Sequence, residues 1–257
     1  MKQLLIYINP KRNFSQEWIK NGEFLWKDET ESLIKIQIEY SLEIGWKPED
    51  IMLVLNFPFE HCGIKAIEVG DDTYCEFAPT ASKINAICEL FNRGLIGDDL
   101  YWFHDNDAFQ LGSLDVDVKD EIAITDYGVV RGDPKTSSRW STGVIFFRKS
   151  AEDVFKMLQH AVNKSYKRNE EIALLAMTRC NYGHINERIK KLNITYNFAT
   201  RGRKVMETYE LADKPLRVIH FHPLDPRKVM DDKPNKEVVP QFLNEPLIKL
   251  FKKYESI

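Results

Sequence analysis

Short apolar runs alternate with amphipathic stretches along the chain. Runs rich in apolar residues predict strands of a sheet that is covered on both faces. These runs occupy residues 4–8, 51–55, 100–103, 121–125, 142–147 and 217–222. Apolar residues at helical spacing predict helices over residues 30–46, 82–95, 150–162 and 246–254 and from residue 169 onward. This alternation is typical of an α/β protein with a mostly parallel central sheet flanked by helices.

Polar residues mark two helix starts and one loop. Ser150 and Asp153 have the spacing of a capping box, and Asn169 stands where an N-cap would precede the next helix. The charged stretch 228–239, which contains Pro234, predicts a mobile loop. Because no linker or repeat divides the chain, we expect one domain over residues 1–257.

Composition narrows the class of protein. The chain has 257 residues, 43% of them hydrophobic, and its net charge of −3 gives no overall nucleic-acid signature. Its four cysteines include no C-x-x-C pair, so we expect reduced thiols rather than a zinc knuckle or a disulfide framework. No stretch approaches the roughly 18 apolar residues of a membrane span, and the N-terminal apolar run is too short for a signal peptide. We therefore expect a soluble cytoplasmic protein.

Two pairs of aspartates have the spacing D-x-D, Asp105 with Asp107 and Asp115 with Asp117. The chain contains 18 aspartates, so composition alone yields about one such pair and only context distinguishes the two. Asp115 and Asp117 lie in a polar segment, where a solvated loop is expected. Asp105 and Asp107 follow the apolar run of DDLYWFHDNDAFQL, and α/β sheets bind ligands beyond the carboxyl ends of their strands. Carboxylates there suit Mg²⁺ or Mn²⁺, which would bridge to the phosphates of a nucleotide.

Five segments occur in an order that is known from one enzyme class. They are LYWFHDNDAF, STGVIFFRKS, RNEEIALLAM, INERIKKLNITYNF and VIHFHP, between residues 100 and 223. In this order they resemble the metal-dependent glycosyltransferases of the GT-A fold, and most closely the glycogenin-like and galactosyltransferase-like enzymes of family 8. The resemblance implies a single Rossmann-like GT-A domain, a nucleotide-sugar donor of the UDP type, and Mn²⁺ or Mg²⁺.

The same resemblance implies a set of cation ligands. Asp105 and Asp107 match the family's D-x-D, with Asp105 contacting either the metal or the donor ribose, and His220 matches its late histidine. The usual G-x-x-K-P-W continuation is replaced here by PLDPRK, so His222 is an alternative ligand. Strand alternation independently places His220 and His222 on one face.

Donor-binding residues follow from the resemblance in three groups, for the base, the phosphates and the sugar. They are Tyr7 and Asn9 for the base, Lys83 for the phosphates, and Ser141, Thr142 and Gly143 for the sugar. A glycine at position 143 would also permit a close approach of the backbone to a ligand.

Glu170 and Glu171 are the predicted catalytic carboxylates. They follow Asn169 at a helix start, where the helix dipole favours ionised carboxylates, so ordinary capping is an alternative role. As catalytic groups, one of them would face the anomeric carbon, either as a base for the acceptor hydroxyl or as a stabiliser of positive charge. The sequence leaves the stereochemistry open.

The acceptor is also open. A hydroxyl of a glycan is the leading expectation, and a hydroxylated base of viral DNA is an alternative, with basic clusters at 164–168, 188–191 and 201–204 following the phosphates. A catalytically idle nucleotide-sugar-binding module is a further alternative. A nucleotidyltransferase is disfavoured, because the N-terminal region has no glycine-rich phosphate loop.

Overall fold

The structure is a computed structural model that describes residues 1–10, 27–119, 121–128, 130, 139–166, 169–200, 205–221 and 239–254. The predicted loop at 228–239 lies outside this part of the chain, apart from its last residue. Within it, no helix combines the length and the apolar character that crossing a membrane requires. All four cysteines are described and none forms a disulfide, as expected.

A seven-stranded sheet forms the centre of the molecule. The strands of the described chain are β1 Lys2–Tyr7, β2 Ile51–Leu55, β3 Glu60–His61, β4 Ile64–Lys65, β5 Ile67–Glu68, β6 Tyr101–His104, β7 Ala108–Gln110, β8 Ile122–Asp126, β9 Trp140–Phe147, β10 Ile189–Leu192, β11 Phe198–Ala199 and β12 Val218–His220. The central sheet has the order β10-β8-β9-β6-β1-β2-β5, and only β9 runs antiparallel to its neighbours. The predicted α/β fold with a mostly parallel sheet is confirmed.

Helices cover both faces of this sheet. They are α1 Lys27–Glu43, α2 Ser82–Asn92, α3 Glu152–His160, α4 Glu170–Arg179, α5 Ile185–Arg188, α6 Val205–Leu211 and α7 Glu245–Tyr254. Leu4 of β1 belongs to the core beneath α2, α3 and α4, whereas Leu5 belongs to the core beneath α1. Successive strand residues point to opposite faces, so a strand covered on both faces is apolar throughout, as the sequence pattern predicted.

A second, three-stranded sheet of order β11-β12-β7 stands beside the central one. Its strand β7 continues directly from β6 through the turn that contains Asp105 and Asp107, and β12 pairs antiparallel with β7. The chain therefore leaves one sheet and enters another within three residues, and the carboxylate pair lies at that crossing.

One helix start was predicted correctly and one was not. Asn169 caps α4, since its side-chain oxygen accepts a hydrogen bond from the Ile172 N–H. The capping box at Ser150 and Asp153 is wrong, because a 3₁₀ turn over Lys149–Ala151 comes first and α3 begins at Glu152 without a side-chain cap. Asp153 instead binds the guanidinium group of Arg188, a residue distant in sequence.

Arg188 connects the start of β8 to α3 through two acidic partners. Its Nε donates to Glu121 at 2.6 Å and its Nη1 to Asp153 at 2.7 Å, while its side chain is only 18% exposed. This arginine is thus paired with acidic residues of its own chain. It therefore does not contribute to the basic cluster 188–191 that was predicted to follow DNA phosphates. Residues 201–204 and the side chains of 164–168 lie outside the described part of the chain.

Replacing Arg188 by alanine should destabilise the fold measurably. Hydrogen bonds between charged groups contribute roughly 1.5–3 kcal/mol when they are partly buried, so we expect Arg188→Ala to lower the free energy of unfolding by about 1–3 kcal/mol. Chemical denaturation measures it. Lys156→Ala is the control, because its ion pair with Glu152 is exposed, and it should change stability by less than about 1 kcal/mol. Equal effects of the two substitutions would contradict this account.

Candidate metal and donor site

The turn between β6 and β7 is held from three directions. The Asp105 N–H donates to the Gly143 carbonyl of β9 at 2.8 Å, and the Ala108 N–H closes the turn on the Asp105 carbonyl at 3.0 Å. From α1, the buried Gln37 amide donates to the Asn106 and Ala108 carbonyls at 2.7 and 2.8 Å. The role of Gln37 was not predicted, because a single glutamine within an apolar helix face gives no sign of the partner it meets.

His104 supports this turn from below and is not a ligand. It is completely buried, its Nε2 lies 2.8 Å from Gln3 Nε2, and its Nδ1 lies 3.0 Å from the Asp105 carbonyl. Burial lowers the pKa of His104 to about 4, so the imidazole is neutral at physiological pH. A neutral ring that donates from Nδ1 to the carbonyl and accepts at Nε2 satisfies both contacts.

Asp105, Asp107 and His220 converge on one point. One ligand atom from each lies within 4.8 Å of the others, in a group that combines two carboxylates with an imidazole. Asp107 Oδ1 lies 3.1 Å from His220 Nε2, and Asp105 Oδ2 lies 3.8 Å from the same nitrogen. These are three of the four predicted cation ligands. The fourth, His222, lies outside the described residues, so the choice between the two histidines stays a prediction.

The chemistry of these side chains fits a divalent cation. Asp107 is fully buried, and its Oδ2 has no hydrogen-bond partner in the described part of the chain. Burial raises the pKa of the Asp107 carboxyl, although His220 acts in the opposite direction. For His220, burial opposes protonation, but the facing Asp107 and Asp105 outweigh it and raise the pKa of the imidazole. A divalent cation that takes oxygen and nitrogen ligands would satisfy the buried Asp107 Oδ2. It would also replace the proton that the raised pKa retains on His220.

A buried asparagine orients the histidine. Asn197 Oδ1 lies 2.8 Å from His220 Nδ1, and its amide nitrogen donates to Ser141 Oγ at 3.0 Å. An Nδ1–H that is engaged by an amide oxygen leaves Nε2 facing the carboxylates, which is how outer partners fix the ring of a ligating histidine. Asn197 lies within the quoted segment INERIKKLNITYNF, where nothing in the sequence distinguishes it from the other polar residues.

Gly143 leaves the space that His220 occupies. A Cβ atom at this position would lie 2.3 Å from His220 Cε1, 2.6 Å from His220 Nδ1 and 3.1 Å from Asp105 Oδ2. The predicted role of this glycine was to admit a ligand closely. In the structure, the imidazole of His220 fits only because position 143 has no side chain.

Lys83 bridges two carboxylates at the edge of the cluster. Its ammonium nitrogen lies 3.0 Å from Asp105 Oδ1 and 3.1 Å from Glu170 Oε1, and its side chain is almost completely buried. Burial of the ammonium group opposes protonation, but Asp105 and Glu170 outweigh it and raise the pKa of Lys83. Lys83 therefore carries a fixed positive charge beside the D-x-D turn.

The two predicted catalytic glutamates differ in how far they are engaged. Glu170 is buried, and its carboxylate accepts hydrogen bonds from Thr142 Oγ1 at 2.8 Å and Thr80 Oγ1 at 3.1 Å in addition to Lys83. Glu171 is part-exposed, and its Oε1 accepts from the Thr142 N–H at 3.1 Å. Both side chains reach the Ser141–Gly143 segment, so the structure brings the two predicted groups together.

Tyr7 and Asn9 lie at the same edge of the sheet. Tyr7 ends β1, which pairs with β6 through Leu5 and His104. The Asn9 N–H donates to Asn56 Oδ1 at 2.8 Å beyond the end of β2. The second D-x-D pair, Asp115 and Asp117, stays apart from this site in an irregular, largely exposed segment, as the sequence predicted.

Substituting Gly143 should disturb the cation site through His220. Because the added methyl group would overlap the imidazole, we expect Gly143→Ala to weaken Mn²⁺ binding by roughly 10–100-fold, the usual effect of displacing a ligand's support. Calorimetric titration with Mn²⁺ measures this. The matched control is Gly97→Ala, whose Cβ would meet only the Tyr101 hydroxyl at an ordinary 3.7 Å. Unchanged Mn²⁺ affinity in Gly143→Ala would show that His220 does not need this space.

Comparison with known proteins gives similarity in fold rather than in sequence. No protein-family model matches the chain, and no curated protein matches it in sequence. The galactosyltransferase LgtC, solved with donor and acceptor sugar analogues, superposes with a TM-score of 0.58 at 14% identity over 98% of this chain and 96% of that one.

Two further glycosyltransferases superpose over nearly the whole chain. One is involved in glycosylation of the major capsid of PBCV-1, with a TM-score of 0.52 at 11% identity over all of both chains. GlyE of Streptococcus pneumoniae TIGR4 gives 0.51 at 11% identity over 99% of this chain and 63% of that one. Likeness at this level of identity concerns architecture. The chain has the GT-A fold of these glycosyltransferases, as its resemblance to family 8 predicted.

Proposed function

We propose that this protein is a metal-dependent glycosyltransferase, which moves a sugar from a UDP-sugar donor to a hydroxyl group of a glycan. The observation that carries the proposal is the convergence of Asp105, Asp107 and His220 beyond the carboxyl end of β6, where the buried Asp107 Oδ2 has no hydrogen-bond partner among the described residues. Open α/β sheets bind ligands at such strand ends. The proposal is further supported by the fold shared with LgtC, whose structure holds donor and acceptor sugar analogues.

The charges around the site argue for a cation as well as a nucleotide. Lys83 contacts the carboxylates of Asp105 and Glu170, and two further carboxylates, those of Asp107 and Glu171, belong to the same site. A diphosphate would be repelled by this set unless a divalent cation entered with it. Mn²⁺ or Mg²⁺ held by the two aspartates and His220 would stabilise the negative charge of the departing nucleoside diphosphate.

The chain's own residues position the donor around that point. Lys83 supplies a fixed positive charge on the phosphate side, and Asp105 keeps the lysine in place. The Ser141–Gly143 segment would line the sugar, while the space left by the missing side chain at position 143 is taken by His220. Tyr7, the last residue of β1, and Asn9, just beyond it, would contact the base.

Between the two glutamates, we assign the contact with the reacting sugar to Glu171. The carboxylate of Glu170 is already bound by Lys83, Thr142 and Thr80, so its role is to hold these side chains. Glu171 is part-exposed and adjacent to the same segment, so its charge is the more available to a substrate. It could accept the proton of the acceptor hydroxyl or stabilise positive charge at the anomeric carbon.

Loss of Asp107 should abolish the activity. We expect the wild-type protein to hydrolyse a UDP-sugar slowly with Mn²⁺ present, and Asp107→Ala to lose that hydrolysis because the cation is no longer held. Chromatography of released UDP measures the rate, after a thermal-shift panel of nucleotide sugars has selected the donor. Asp117→Ala, from the solvated D-x-D pair, is the matched control and should retain the wild-type rate.

The outcomes of this experiment separate the competing functions. A wild-type protein that binds UDP with Mn²⁺ but releases none from any nucleotide sugar is a binding module rather than an enzyme. No stabilisation by any nucleotide would overturn the whole proposal. Transfer to duplex DNA with hydroxylated bases, but not to glycans, would move the acceptor to the nucleic-acid alternative.

The two glutamates should respond differently to removal of their charge. We expect Glu171→Gln to lower kcat by roughly 10²–10⁴-fold with little change in thermal stability, because it removes a group that acts on the substrate. Glu170→Gln should lower the melting temperature as well, because it leaves Lys83 with one carboxylate fewer. Steady-state kinetics and differential scanning calorimetry on both variants provide the test. A fully active Glu171→Gln protein would remove Glu171 from the mechanism.

A further inference from the structure

A second group of metal-ligating side chains lies away from the proposed active site. It consists of Glu39 on α1 and of His61 and Cys62 on the β3–β4 hairpin. One ligand atom of each lies within 4.8 Å of the others, and His61 Nε2 is 2.9 Å from Glu39 Oε1. We propose that these three residues form a second cation site, specific for a borderline or soft divalent ion of the zinc class.

The kind of donor decides the kind of ion. A thiolate, an imidazole and a carboxylate are the ligands that Zn²⁺ takes in proteins, at about 2.3 Å for sulfur and about 2.0–2.2 Å for nitrogen and oxygen. Atoms that share one zinc ion lie roughly 3–4 Å apart at these bond lengths, so small rotations of the present side chains bring all three into reach. The Asp105–Asp107–His220 set has no sulfur and suits Mn²⁺ or Mg²⁺ instead. The two sites therefore differ in the metal they select.

The hairpin presents the thiol at a backbone position that cysteine does not favour. His61 pairs with Ile64, so Cys62 and Gly63 form a two-residue turn, with φ of 50° and 76°. Such a turn requires positive φ at both central positions, where glycine and asparagine are preferred. Cysteine here is thus a structurally costly choice, and it places an exposed sulfur next to His61 and Glu39.

Glu39 is ready to act as an anionic ligand. Its side chain is only 17% exposed, and burial opposes its ionisation, but Lys253, Tyr254 and His61 outweigh burial and lower the pKa of the carboxyl. Lys253, which lies 2.6 Å from Glu39 Oε2, is 57% exposed and can turn into solvent when a divalent ion takes its place. Tyr254 donates to Glu39 Oε1 at 2.6 Å and would remain as an outer partner.

A bound ion would join three elements of the fold. Helix α1 carries Glu39, the hairpin carries His61 and Cys62, and the last turn of α7 stays in contact with Glu39 through Tyr254. Because the ligands come together only in the folded chain, the ion should raise thermal stability. Water would fill the fourth position of a tetrahedral zinc ion.

Cobalt spectroscopy on the full-length protein tests the proposal. The metal-free, reduced protein is titrated with Co²⁺, whose bond to a thiolate gives a charge-transfer absorption in the near ultraviolet, and Zn²⁺ is then added to displace it. We expect a saturable band of one equivalent in the wild-type protein and in Asp107→Asn, and its loss in Cys62→Asn and His61→Ala. Cys180→Ser, which removes the other exposed thiol, is the matched control and should retain the band.

The choice of asparagine guards against a trivial loss through misfolding. Asparagine suits the positive φ at position 62, so Cys62→Asn should melt at or above the wild-type temperature without metal, yet gain nothing from Zn²⁺. Absence of the band in the wild-type protein, or its persistence in Cys62→Asn, would overturn the proposal. In that case Glu39 and His61 belong to an ion-pair network only. Neither result bears on the activity at Asp107, since the two sites share no residue.

Discussion

A fully buried carboxylate that faces a buried imidazole is the constraint on which the arrangement of this site depends. Asp107 lies in the turn that joins the two sheets, His220 lies in β12 of the second sheet, and both side chains are buried. Burying charge in this way is unfavourable unless partners are placed with accuracy. Gln37 holds the turn in place, and Asn197 orients the imidazole of His220. Gly143 leaves the space that this imidazole occupies.

The positive charge of Lys83 also connects several elements of the fold. Lys83 on α2 meets Asp105 in the turn and Glu170 at the start of α4, so one ammonium group links three elements. Removing one partner of such a buried pair typically destabilises a protein by ~3–5 kcal/mol, because the remaining charge is left uncompensated. Residues proposed to bind the donor therefore also stabilise the fold. Loss of activity in their variants has to be read together with a melting temperature.

Much of the architecture could be predicted from the sequence because a strand that is buried on both faces appears in the sequence as a continuous apolar run. The strands β1, β2, β6 and β9 are largely apolar and are buried at nearly every position, and their order with the helices indicated the sheet. Asp105 and Asp107 were predicted from the apolar strand before them together with a resemblance of ordered segments, which also indicated His220, since the D-x-D spacing itself occurs by chance about as often as observed.

What the sequence did not reveal depends on contacts between distant residues. Asn197 and Gln37 act through amide groups that meet their partners only in the folded chain. No periodic pattern in the sequence predicts these contacts. Asp153 had the spacing of a cap, but Arg188, brought close by the fold, provides a stronger partner. Strands of two residues, such as β3 and β4, are set by their turn rather than by an apolar pattern, and the donor group at Cys62 appears only when that turn packs against α1.

The proposed function depends on the binding of a divalent cation by His220 and the two aspartates in solution. Titration of the metal-free protein with Mn²⁺, followed by the electron paramagnetic resonance signal of the free ion, measures this most directly. We expect one saturable Mn²⁺ site that is lost in His220→Gln and kept in His184→Gln, whose histidine is 86% exposed and does not belong to the Asp105–Asp107–His220 group. Equal Mn²⁺ binding by the wild-type and His220→Gln proteins would contradict it.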